Sequence, residues 1–115
     1  MLSPQAAARE FSTFEESFCF IGHSHVPMIV LRTEVGTSEL LEGEVALPAG
    51  ARVLINVGSV GQPRNGDPRA SFAVLDLEDR SASLVQVAYD IDTTRKKIIE
   101  AGLPRFLGDR LLLGQ

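Results

Sequence analysis

Two histidines, His23 and His25, stand in the tetrapeptide Gly22-His23-Ser24-His25, at the end of the apolar run Phe18-Cys19-Phe20-Ile21. Neutral imidazole is a good ligand for zinc, manganese, iron and nickel. On an extended segment, residues two apart project to the same side. A strand that stops at Gly22 would therefore present both rings at one edge of a sheet, in reach of one metal site. The competing reading is a polar turn before Val26-Pro27. A strand feeding a Gly-His turn favours the ligand reading, and so does the absence of any third histidine, because the pair is not a sample from a His-rich surface. The same absence sets the difficulty: a catalytic metal takes more than two protein ligands.

A second segment with chemical potential runs from Asn56 through Gly58, Ser59, Gly61, Gln62, Pro63 and Arg64 to Asp67, Arg69 and Ser71. Its glycines free backbone N–H groups for close approach to a ligand. Arg64 and Arg69 carry planar forks suited to phosphate. The alternative is a compact loop in which Asp67 pairs with an arginine and holds the turn. A glycine-rich loop alone does not separate the two.

The surrounding pattern predicts the elements that position these segments. Ser3-Pro4 reads as a helix start, Ser as N-cap and Pro at the first helical position, with a helix over Gln5 to Glu16 carrying Ala7, Phe11 and Phe14 on one stripe. Strands are expected at Phe18 to Ile21 and Met28 to Thr33, and at Glu39 to Leu47, where Leu41, Val45 and Leu47 oppose Glu42 and Glu44. Arg52 to Val57 reads as a further strand. Ala70 to Leu77 is apolar on both faces and reads as a central strand. Leu84 to Tyr89 reads as its partner, with Val85, Val87 and Tyr89 on one face. Asp92 is expected to cap a helix over Thr93 to Ala101 that stops at Gly102, and Pro104 to start another through Leu113. About six consecutive strands with segregated helices predict an α+β layered domain.

Bulk composition narrows the function classes. The 115 residues make one domain or a piece of one, and 44% apolar composition fits a globular core. A formal charge of -4, with Lys96 and Lys97 the only lysines, argues against a nucleic-acid backbone as partner. Cys19 is the one cysteine and reads as a buried thiol in a reducing cytoplasm. No apolar stretch approaches the roughly 20 residues that span a bilayer, and the first residues lack the regions of a signal peptide.

Taken together, the two segments carry a resemblance. The strand followed by Gly22-His23-Ser24-His25-Val26-Pro27 resembles the last metal-binding block, Gly-His-x-His, of the calcineurin-like metallophosphoesterases. Asn56 to Ser71 resembles the Asn-x-Gly-Ser-x-Gly-x-Pro-Arg block that follows it in a bacterial and archaeal branch with phosphodiesterase-like and diadenosine tetraphosphatase-like members. The tail from Gly102-Leu103-Pro104 to Arg110-Leu111-Leu112 is similar to that branch's C-terminus. The resemblance implies a four-layer αββα sandwich with a two-metal site, His23 on one ion and His25 on the other. The ions, manganese, iron, zinc or nickel, would polarise a phosphoryl group and activate a water for in-line attack. It also implies a structural turn near the site at Asn56, Gly58 and Ser59, and substrate contacts from Arg64 and Arg69.

The family's other ligand blocks, Asp-x-His, Gly-Asp, Gly-Asn-His and a further His, do not occur in this sequence. The chain thus reads as the C-terminal half of a phosphoesterase, expected by itself to hold metal weakly or not at all and to be inactive toward phosphate esters. A half fold would expose an apolar sheet face and a strand edge, so a homo-oligomer or an N-terminal half is the expected partner, with neither membrane nor nucleic acid. Two alternatives stay open: a non-catalytic association or ligand-binding module derived from the same fold, and an unrelated β-rich domain. The last would leave the His pair and the Gly58 loop apart in space.

Overall fold

The computed structural model describes residues 4–40 and 43–115. Seven strands form two sheets. In the first, β1 (Phe18–Ile21), β5 (Arg52–Asn56), β2 (Met28–Thr33) and β3 (Gly36–Leu40) lie in the order β1-β5-β2-β3. The β1/β5 pair is parallel and the others antiparallel. In the second, β4 (Gly43–Ala46), β7 (Ser81–Val87) and β6 (Ala70–Asp76) lie in the order β4-β7-β6, all antiparallel. The mainly antiparallel α+β class expected from the sequence is the observed one.

Two cores sandwich the first sheet because its strands alternate apolar side chains to both faces. Ile29, Val53 and Ile55 face the second sheet and pack with Val45, Leu47 and Ala82, flanked by Phe18, Leu31, Ala73, Leu75 and Leu84. Met28, Val30 and Leu54 face the other way and are covered by Ala7 and Phe11, with Phe14, Cys19, Ile21 and Val26 around them. Val53, Leu54 and Ile55 are fully buried, which makes β5 the axis of the domain.

Several boundaries differ from the sequence reading. Helix α1 spans Pro4–Glu10 and stops short of Glu16. Ser12 and Thr13 break it: their amides close tight turns onto the Arg9 and Glu10 carbonyls, and their hydroxyls donate to the same two carbonyls. The Ser3 cap lies outside the described residues. The strand expected over Glu39 to Leu47 is two strands in different sheets, with Leu41 and Glu42 outside the described residues and Gly43 at φ 91°. Its alternation survives the crossing, since Val45 and Leu47 are buried and Glu44 is exposed.

The largest correction concerns β6, which is an edge strand and not a central one. Ala73 and Leu75 pack inward, whereas Phe72 and Val74 lie on the open face. Ala82 and Leu84 are the inward residues of β7, and Val87 lies exposed on the other face. An apolar residue on each face does not by itself make a strand central, because an outer face can stay exposed.

Helix α2 (Ile91–Glu100) is capped earlier than expected: the Asp90 carboxylate, not Asp92, accepts from the Thr93 amide and hydroxyl. Helix α3 (Arg105–Asp109) and a 3-10 turn (Arg110–Leu112) replace a single helix after Pro104. The α2/α3 pair is tied by Arg95 to Asp109 at 2.6 Å. The molecule is elongated, 51 × 28 × 19 Å. No helix among the described residues is long and apolar enough to cross a membrane.

The premise that a half fold leaves an inner sheet face bare is also corrected. Both facing sheets are present in this chain and cover each other. What does stay open is the outer face of the second sheet, where Phe72, Val74 and Val87 are exposed, and an edge: among the described residues β1 pairs with β5 alone, and Phe20 is 50% exposed. The same open flank leaves Cys19 half-buried instead of buried.

Candidate functional site

The site lies at the ends of β1 and β5. These strands are parallel, so their C-terminal ends leave the sheet side by side: Ile21 pairs with Asn56. The Gly22–His25 segment follows one, and the Gly58–Arg69 loop follows the other. The Val57 amide donates to the Ile21 carbonyl at 3.0 Å, extending the pairing into the loop.

The histidines do not sit on an extended segment. The His25 amide donates to the Gly22 carbonyl at 3.1 Å, closing a turn, and His25 has φ 59°. Strand parity therefore does not aim the two rings; a turn does. A left-handed backbone is costly for a residue with a Cβ and persists where neighbours fix it. Here the neighbours are in the loop. The His25 carbonyl accepts from the Arg64 amide at 3.2 Å, and His25 Nδ1 lies 2.8 Å from the Gln62 carbonyl oxygen. His25 is half-buried and His23 exposed.

Asn56 joins the two segments from below. It is a buried polar residue, so its amide must find partners. Its Nδ2 donates to Ser24 Oγ at 2.8 Å, and its Oδ1 accepts from the Gly58 amide at 3.1 Å. Ser24, between the two histidines, is thus the contact that anchors their turn. Gly58 has φ 77°, and a Cβ there would meet Ser71 Oγ at 2.7 Å. No other residue type fits both demands without strain. Ser59 fixes the next stretch: its carbonyl accepts from the Ser71 amide at 2.9 Å and its hydroxyl from the Gln62 amide at 2.8 Å.

The two arginines part company. Arg64 is exposed and donates to Gln62 Oε1 at 3.2 Å. Arg69 grips Asp67, with Nη2 2.5 Å from Oδ2, and reaches Gln86 Oε1 at 3.1 Å. Hydrogen bonds from the Arg69 side chain and amide hold the Asp67 carboxyl down at about 2. That is the loop-holding arrangement weighed at the sequence level. The C-terminal tail closes on the same spot: the Gly66 amide donates to the Gly114 carbonyl at 2.9 Å.

The structure thus brings together His23, His25, Asn56, Gly58 and Ser59, and it overturns the reading in which the His pair and the Gly58 loop lie apart. Sequence reasoning passed over Ser24 and the Gln62 carbonyl. Ser24 had a signal, a hydroxyl between two candidate ligands; a backbone carbonyl has none. Among the described residues no group of three or more His, Cys, Asp or Glu side chains could hold a metal ion. The two imidazoles fit part of a nitrogen and oxygen ligand set and do not complete it.

No family model matches the chain. It is 44% identical over 96 residues to an uncharacterized protein of Methanocaldococcus jannaschii, covering 84% of this chain and 39% of that protein. A solved structure, a metallophosphoesterase from Sphaerobacter thermophilus, superimposes with a TM-score of 0.89 at 34% identity, over 100% of this chain and 49% of that one. The chain spans half or less of the length of these relatives. Its fold is metallophosphoesterase-like, and this likeness supports the metallophosphoesterase superfamily for the chain.

Proposed function

We propose that the chain supplies the histidine side of a metal-dependent phosphoesterase site, and that alone it does not turn over phosphate esters. The observation that carries this reading is the bonding of the Gly22–His25 turn to the Asn56–Arg64 loop through Ser24 and His25. Such bonding holds the turn and the His25 imidazole in place for a ligand, which a solvent-exposed turn has no need to do. His23 and His25 would hold the metal, with the carboxylate ligands supplied by a second polypeptide segment outside these 115 residues. A divalent ion so held acts as a Lewis acid on a phosphoryl oxygen. Manganese, iron, zinc and nickel all suit the donor type. Arg64, exposed beside Gln62, is the better placed of the two arginines to meet a phosphate; Arg69 is engaged with Asp67. The phosphodiesterase-like and diadenosine tetraphosphatase-like branch and a cytoplasmic location belong to the same proposal.

The test is hydrolysis of a chromogenic phosphodiester with manganese, by the chain alone and mixed with a polypeptide matching the uncovered part of the Sphaerobacter structure. The expected result is turnover in the mixture alone, lost in His23→Ala and His25→Ala. Turnover by the pure chain would overturn its inactivity alone, and turnover that survives both substitutions would overturn the histidine reading as well.

A second reading is a non-catalytic association or ligand-binding module derived from the same fold. It expects no activity in the mixture. Either reading allows self-association, which we assign to the apolar side chains left exposed on and beside the helix pair, Ile99, Leu103, Phe106 and Leu113.

A further inference from the structure

We propose that Ser59 is a positioning residue that, through the Gln62 carbonyl, holds His25 in the Nδ1–H tautomer, so that Nε2 carries the lone pair. The use of that lone pair for a metal rests on the function proposed above; the tautomer does not.

The argument follows the hydrogen bonds. A carbonyl oxygen can only accept, so the 2.8 Å contact between His25 Nδ1 and the Gln62 oxygen places the proton on Nδ1. In a neutral ring the other nitrogen is then the acceptor. A neutral histidine free in water prefers the opposite tautomer, with the proton on Nε2. The protein must therefore hold the Gln62 carbonyl in place to reverse that preference.

Ser59 does the holding. Its hydroxyl accepts from the Gln62 amide at 2.8 Å, closing a turn from Ser59 to Gln62 that turns the next carbonyl toward the histidine. The turn is anchored at both ends. Ahead of it, the Ser59 carbonyl is bonded to the Ser71 amide at the start of β6. Behind it, Pro63 is fully buried and the Arg64 amide bonds to the His25 carbonyl. The backbone of His25 is fixed in turn by its bond to Gly22 and its left-handed φ of 59°. Carbonyl and ring are thus held by separate contacts that meet at one hydrogen bond. A metal-ligating imidazole has this requirement: the nitrogen opposite the ligating one is bonded to a carbonyl or carboxylate. His23 has no hydrogen bond of this kind among the described residues, so the two histidines are not equivalent.

The test is long-range proton–nitrogen NMR on the metal-free chain with both rings neutral, where nitrogen shifts report which atom bears the proton. The expected pattern is Nδ1–H for His25 and the Nε2–H form favoured in water for His23. Ser59→Ala should shift His25 toward Nε2–H, and Ser59→Thr, which keeps the hydroxyl, should restore the native pattern. A general loosening of the fold would not be rescued by the bulkier threonine. A native His25 found as Nε2–H overturns the proposal without any variant, and so does Ser59→Ala with an unchanged tautomer. Zinc alone, titrated into the same samples, separates the two proposals. Affinity about 10-fold lower in Ser59→Ala, in the range of outer-shell substitutions, supports both. Absence of zinc binding both in a native chain with the expected tautomer and in its mixture with the polypeptide that supplies the carboxylates overturns the metal reading and leaves the assignment to Ser59 standing.

Discussion

At the histidine turn, buried polar atoms settle the geometry: Asn56 is 1% exposed and bonds to Ser24 and Gly58, while Gln62 meets His25. Over Ile91 to Leu113 the arrangement is reversed. Helix α2 buries no residue, and Phe106 and Leu113 are 62% and 58% exposed. The first region is specified from within the chain by hydrogen bonds among buried and half-buried groups. The second is held by the Arg95–Asp109 pair, the buried Leu111 and the Gly66–Gly114 bond, and presents apolar surface outward. The difference teaches what each region rests on: partners inside the chain for the turn, whereas the helices leave apolar side chains uncovered by the described residues.

Substitutions sharpen that contrast, and the largest effects belong to the sheet that supports the turn. Leu54→Ala empties a site packed by Ala7, Phe11, Met28 and Val30 and should lower stability by about 3 kcal/mol in urea denaturation. Gly58→Ala should cost about 2 to 3 kcal/mol, because the new methyl meets Ser71 in a left-handed backbone. Asn56→Ala strips partners from Ser24 and from the Gly58 amide and should cost about 2 kcal/mol. A loss no greater than that of an exposed control at Glu44 would deny the turn its internal specification.

The helix pair should answer differently. Phe106→Glu together with Leu113→Glu should leave unfolding within about 0.5 kcal/mol of the native chain, since both positions are exposed. By sedimentation velocity the same double variant should lose the self-association expected of the native protein. A native chain that is monomeric at micromolar concentration would place the apolar helix surface outside any homo-oligomer.

Much of this was legible in the sequence, for reasons that differ by region. The apolar runs at 18–21, 28–33 and 52–56 announced their strands, because a strand buried on both faces has little choice of composition. Gly22-His23-Ser24-His25 and the Asn56-to-Ser71 loop could be paired through a resemblance, and the structure joins them through Asn56 and Gln62. The edge position of β6 was not legible: whether Phe72 faces a neighbour or the open side depends on tertiary order, not on its own run. Nor was the end of α1, where Ser12 and Thr13 turn back onto Arg9 and Glu10 in a stretch whose apolar stripe continues to Phe14. Arg52 then captures Phe14, its guanidinium 4.6 Å from the ring centre, a contact between residues 38 positions apart.

The smallest expected effect falls where the two regions touch. Gly114 packs against the backbone of Asp67, and Asp67 is held by Arg69, so the C-terminal tail rests on a loop stapled by one ion pair. Hydrogen bonds from Arg69 depress the Asp67 carboxyl from 3.8 to about 2. A carboxyl depressed in the folded state binds its proton more readily when unfolded. Its stabilisation is therefore complete above the unfolded value and fades as pH falls from about 4 through about 2. The pair is exposed, so salt should weaken it and global stability should hardly register it. The local readout is the carboxyl carbon shift of Asp67 and the amide shift of Gly66 across an acid titration. Both should move with a midpoint near 2 in the native chain, and Arg69→Gln should raise it toward 3.8. A midpoint near the ordinary value in both proteins would leave the Gly66–Gly114 bond to anchor the tail without the staple, and would make the helix pair still less dependent on the loop that carries the site.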